Sequence, residues 1–240
     1  MAVSIDTVYQ RVLSILNKEQ RGYITPQEFN LLANQAQVDI FEQYFYDINQ
    51  FGRIPGNDTE YSDMLDNLNE KISPFKISGG SVGSNATTLP TPANNRTFYR
   101  LGTVIYTDTT TSEEIEVEEI NKNEILYINS SPLTKPTKAR PVYTRESFTT
   151  IKVYPNTIKT DVTCNYIVKP LKAEWGYTNV NGNPLFNATS DATQNFELHE
   201  SEEKNLVIKI LALAGVIIKD PNVYQIATTE ENKDVQQEKQ

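Results

Sequence analysis

Residues 200–221 read ESEEKNLVIKILALAGVIIKDP, and the fold turns on how this stretch packs. Leu206, Val207, Ile210, Leu211, Leu213, Ala214, Ile217 and Ile218 cover more than one face of a helix, so the helix must be packed on several sides. Ser201 can cap its start, Glu202 and Glu203 suit the positive end of the helix dipole, and Pro221 enforces a stop after Lys219. The apolar run from Leu206 to Ile218 contains Lys209 and is shorter than the ~20 residues a membrane span needs. It therefore predicts a core helix and no membrane span.

Such a helix needs partners, and the N-terminal third supplies them. Ile5, Val8, Val12, Ile15 and Leu16 repeat at helical spacing from about Ser4 or Asp6. Gly22 breaks that pattern. Thr25, Pro26 and Glu28 then form a start signal for a second helix, with Thr25 as N-cap, proline at the first helical position and glutamate at the third. Phe29, Leu32, Ala33, Ala36, Ile40, Tyr44 and Ile48 keep one side of it apolar until Gly52 and Pro55, which makes it long. Tyr61, Leu65, Leu68 and Ile72 predict a third, shorter helix over 60–72. One core shared by these helices and the 206–218 helix is expected, since none can bury its apolar surface alone.

From Ser73 the texture changes. Gly79, Gly80, Gly83, Pro90 and Pro92 punctuate a Ser/Thr/Asn-rich stretch, and no helical period returns until about Glu200. Strands are predicted over 98–106, 115–120, 140–144, 149–154 and 162–168, with one helical turn at 124–129 and a long loop over 176–193. After Pro221 the chain is polar, with Val223, Tyr224 and Ile226 among its few apolar residues. These three are the candidate partner-binding residues, anchors that would order only on assembly. The expected class is α+β. Residues 1–73 supply the N-terminal helices of a helical body, 74–199 a β-rich section with long loops, 200–221 the C-terminal core helix joining that body, and 222–240 an extended polar tail.

The chain carries 22 Lys and Arg against 31 Asp and Glu, a formal charge of −9, and no basic run offsets this locally, so tight binding to a phosphate backbone is not expected. The single cysteine, Cys164, rules out an internal disulfide framework and reads as a buried thiol in a strand. Nothing at the N-terminus has the basic start and continuous apolar run of a signal peptide. Catalytic machinery is equally thin. His199 is the only histidine and reads as a capping or surface residue, no nucleophile motif accompanies it, and no phosphate-binding glycine loop occurs. Glu113, Glu114, Glu116, Glu118 and Glu119 alternate around Ile115 and Val117 as the solvated side of a strand does. Residues 17–28 imitate a calcium loop, with Gly22 at position six and Glu28 at twelve, but Arg21 replaces a ligand and Asn17 is neutral. No catalytic, cofactor or metal site is expected, and the chain reads as a non-enzyme.

The order of short motifs carries one resemblance. NKEQRGYITPQEFN (17–30) opens the second helix. Arg100-Leu101-Gly102 follows, then Arg140-Pro141-Val142-Tyr143, Ile151-Lys152-Val153-Tyr154-Pro155, Tyr166-Ile167-Val168-Lys169-Pro170 and Trp175, and the series closes on the 206–218 helix ending Lys219-Asp220-Pro221. Taken over nearly its full length, the chain resembles the head-to-tail connector, or tail-tubular-A-like adaptor, proteins of short-tailed phages, especially ring proteins of the crAss-like group. The resemblance implies a virion structural protein made in the host cytoplasm. It would form a homo-oligomeric, dodecameric ring between the portal protein and the next tail or ring protein, part of the DNA conduit used in ejection. The competing expectation is a carbohydrate-binding or adhesion module, suggested by Tyr99, Tyr106, Tyr127, Tyr143, Tyr154, Tyr166 and Trp175 in an Asn/Thr-rich β section.

Overall fold

A computed structural model describes residues 2–18, 24–51, 59–109, 111–189, 193–218, 225, 228–230 and 233. The protein is α+β, and the chain divides into two compact units. One comprises residues 1–73 and 170–240, the other residues 74–169. Residues 170–199, expected in the β-rich section, thus belong to the helical unit.

In that unit a short strand β1 (Ala2–Val3) precedes α1 (Ile5–Lys18), α2 (Pro26–Phe51) and α3 (Thr59–Ile72). Val8, Tyr9, Val12, Phe29, Ala33, Ala36, Ile40 and Phe41 form the buried stripes of α1 and α2. The start of α2 is a reciprocal cap. The Thr25 backbone N–H and hydroxyl donate to Glu28 Oε2 at 3.0 and 2.8 Å, and the Glu28 N–H donates back to Thr25 Oγ1 at 3.3 Å. The bonds from Thr25 hold the Glu28 carboxyl below the usual glutamate range, so its share of the cap is present at neutral pH and fades as the carboxylate protonates in acid. Thr25→Ala removes both hydroxyl contacts and is expected to lower stability by about 1 kcal/mol, read from the shift in denaturant midpoint.

The 170–199 segment of this unit contains β8 (Tyr177–Val180), β9 (Asn183–Phe186) and β10 (Phe196–His199). β10 pairs antiparallel with β1. A polar ladder on α2 binds the extended run before β8. Trp175 N–H donates to Asn30 Oδ1 at 2.9 Å, Ala173 N–H to Asn34 Oδ1 at 2.9 Å, Asn34 Nδ2 to the Ala173 carbonyl at 2.8 Å, and Gln37 Nε2 to the Leu171 carbonyl at 2.7 Å. The spacing works because seven helical residues rise about 10 Å while four extended residues cover about 13 Å. Gln37 is itself buried and accepts from the Glu197 N–H as well, so this side chain ties two segments to the helix.

After a 3₁₀ turn at Glu200–Glu202, α6 (Glu203–Ile218) packs against α1 and α2, with Leu206, Ile210 and Ala214 buried. The helices therefore share one core, as their apolar faces require. The cap differs from expectation: His199, not Ser201, occupies the N-cap of the turn, and its Nδ1 accepts from the Ser201 N–H. The rest of the expected C-terminal tail past Ile218, including Val223, Tyr224 and Ile226, lies outside the described residues but for isolated positions.

The second unit contains β2 (Lys76–Ser81), α4 (Gly83–Ala86), β3 (Phe98–Thr107), β4 (Glu114–Glu119), α5 (Ile125–Ser130), β5 (Val142–Arg145), β6 (Ile151–Tyr154) and β7 (Val162–Val168). They form one six-stranded sheet in the order β2-β7-β3-β4-β5-β6, antiparallel except for β4 and β5. The chain leaving β2 reaches the far edge, where Ile151 N–H donates to the Thr87 carbonyl and Leu89 N–H to the Thr149 carbonyl, so the sheet curls towards closure. β7 shows the pattern of a half-buried strand. Val162, Cys164, Tyr166 and Val168 enter the core, beside Val104, Tyr106, Val117, Tyr143, Ile151 and Val153.

Candidate assembly surface

Three of the residues singled out for their chemistry hold structural positions. His199 caps a turn. Cys164 is buried in the sheet core, and burial pushes its thiol up to about 11, so at neutral pH it is protonated and shielded. A thiol reagent is expected to leave native Cys164 unlabelled and to react in denaturant; rapid native labelling would contradict the packing of β7. Glu28 is committed to the cap of α2, while the rest of the calcium-like loop from 19 to 23 lies outside the described residues. Among the described residues no group of His, Cys, Asp and Glu gathers as a metal site, and no helix is long and apolar enough to cross a membrane. Of the aromatics that suggested a sugar platform, Tyr106, Tyr143, Tyr166 and Trp175 are buried.

What stands out instead is apolar surface held by ordered backbone. Between β4 and β5 the chain makes an excursion over residues 120–141. The Ile120 N–H donates to the Tyr143 carbonyl, Ile125 is buried as its anchor, α5 forms one and a half turns, and the Lys135 N–H closes back on Ser131. On this frame Leu126, Tyr127 and Leu133 are 71%, 79% and 94% exposed. Lys135, Lys138 and Arg140 follow, all exposed, with no acidic residue between 131 and 140.

Beside β4 lies an open groove of about 620 Å³, lined by Leu101, Gly102, Thr103 and Val104 of β3, Glu116 to Glu119 of β4, and Tyr143. It exists because β4 pairs with β3 only from Val104 to Thr107 on the β3 side, then turns away to pair with β5 at Glu118 and Glu119. Among the described residues, no strand consequently pairs with Leu101 to Thr103 on that side. Gly102 permits the close approach of β3 to β7 on the other, since a Cβ there would meet the Asn165 carbonyl oxygen at 3.0 Å. The floor carries one polar contact, from Tyr143 Oη to Glu119 Oε2 at 3.1 Å. Burial, followed by the charge of Glu119, pushes the Tyr143 phenol up to about 12, so it stays a donor.

The helical unit has its own exposed apolar feature, the β8–β9 hairpin, which sequence reading assigned to a loop. Asn181 and Gly182 form its two-residue turn with φ of 52° and 86°, the positive pair a type I′ turn requires. Tyr177 and Phe186, opposite each other, both stack on Trp175 with ring centroids 5.8 Å away. The other face presents Val180 and Leu185, 46% and 54% exposed. The Asn-Gly pair was the available signal. The outward side of α5 had none, because a single turn shows no periodicity. No family model matches the chain, and no curated protein matches it.

Proposed function

We propose that the protein is a non-catalytic virion structural protein, a ring-forming subunit of the head-to-tail connector of a short-tailed bacteriophage. In this role it sits between portal and tail and contributes to the conduit through which genomic DNA passes. The observation that carries the reading is the exposure of Leu126, Tyr127 and Leu133 on a hydrogen-bonded excursion, with Val180 and Leu185 on a second ordered element. Large apolar side chains held rigidly in water are a cost to a solitary soluble protein and an asset to one whose surface becomes interface. The structural employment of His199, Cys164 and Glu28 supports the non-enzymatic part. A charge of −9 is compatible with a channel that lets DNA slide without gripping it. The dodecameric count and the portal and tail neighbours come from the family resemblance alone.

Burial of four of the seven aromatics weakens the adhesion alternative, which needs stacking faces open to a sugar. Immunogold labelling of intact particles carrying the protein separates the two. Label at the junction of head and tail is the expected outcome, and label confined to fibre tips would replace the connector reading with adhesion.

A further inference from the structure

We infer that the 120–141 excursion of one copy docks into the β3–β4 groove of a second copy, head to tail, an interface that rests on the ring-forming reading above. The two surfaces are separate patches, so one copy can fill its neighbour's groove while its own groove accepts a third copy, a heterologous contact of the kind that closes into a ring when its rotation allows.

Three properties match. The excursion puts Leu133 almost wholly in solvent with Leu126 and Tyr127 beside it, while the groove offers the half-buried side chain of Leu101 and the exposed Gly102 and Thr103. Its open side also offers the backbone of Leu101 to Thr103, which β4 leaves uncovered. The charges are opposite. Residues 131–140 contribute Lys135, Lys138 and Arg140 and no acid, whereas residues 113–119 contribute five glutamates and no base. Among the described residues, Lys135, Lys138 and Arg140 make no ion pair, nor do Glu116 and Glu118.

Charge also excludes other occupants of the groove. The segment beyond Pro221 carries Glu230, Glu231, Asp234 and Glu238 against Lys233 and Lys239, and its net negative charge is repelled by the glutamate rim. A nucleic-acid backbone is repelled for the same reason. In a chain whose total charge is −9, placing the basic 131–140 segment on the acidic 113–119 strand relieves the repulsion between copies.

The test uses full-length protein in sedimentation velocity with two exposed charge-reversal variants, Glu116→Lys/Glu118→Lys and Lys135→Glu/Lys138→Glu, each checked for native circular dichroism. Wild type is expected to form a multi-copy species that weakens as salt rises. Each variant alone sets like charges against each other and should need on the order of tenfold more protein to assemble. An equimolar mixture of the two restores opposite charges at every contact and should assemble like wild type. Leu133→Ser provides a charge-independent check and should also impair assembly. If wild type assembles and both variants do so equally well, or the mixture does no better than its components, the docking is wrong while the ring reading stands. A discrete two-copy wild-type species would overturn head-to-tail docking. Wild type that stays single at every concentration overturns the ring reading and the docking with it.

Discussion

Ile210→Asp is expected to unfold the helical unit. Ile210 is fully buried in α6, the helix against which α1 and α2 pack. The substitution forfeits the isoleucine's burial and leaves a cavity, about 2–5 kcal/mol in comparable cores. It also places an unpaired carboxylate where no solvent reaches, costing several kcal/mol more or forcing the carboxyl to stay protonated. Together these approach the 5–15 kcal/mol that stabilises a typical domain. Trp175, the only tryptophan, reports the result directly. It is buried in this unit, lies with its ring tilted against Tyr9 at 4.4 Å between centroids and donates from Nε1 to Asp6 Oδ1 at 3.0 Å. Its emission should shift to that of a solvated indole in the variant, and native emission with a native melting curve would mean that α6 is not the centre of the core.

Lys71→Met should cost about 3–5 kcal/mol, although the position looks unremarkable in sequence. Glu202 is buried at the entry to α6, and Lys71 Nζ at the end of α3 lies 2.7 Å from its Oε1, with Asn205 Nδ2 donating to Oε2 at 2.8 Å. Removing the cation leaves a buried charge with one amide for company. The paired substitution Lys71→Met/Glu202→Leu should recover most of the loss, since a buried ion pair replaced by apolar groups is often neutral or better. Urea unfolding of the two single variants and the double measures the coupling, and simple additivity would show that the pair does not interact energetically.

These two sites mark where sequence reading succeeds and where it stops. The core role of α6 is visible in the spacing of Leu206, Ile210 and Ala214, and the strand character of β7 in the alternation from Val162 to Val168. The start of α2 is visible in Thr25, Pro26 and Glu28, because a cap is a local arrangement of a few residues. Long-range polar bonds are not local. Asn30, Asn34 and Gln37 look like the solvated side of a helix, yet they bind the backbone of residues 171–175 and bring 170–199 into the helical unit. The Lys71–Glu202 pair is hidden for the same reason. β2 was obscured by Gly79 and Gly80, whose lack of side chains removes the alternation that identifies a strand. For the assembly surface, the acidic strand was legible from Glu113 to Glu119. The groove beside it was not, since it arises from β4 exchanging its partner β3 for β5.

Electron microscopy of the purified full-length protein tests the ring-forming reading most directly. Closed rings of uniform diameter with an open centre are expected, their rotational averages resolving repeated subunits; single particles of one copy at every concentration, or aggregates without rotational symmetry, would contradict it.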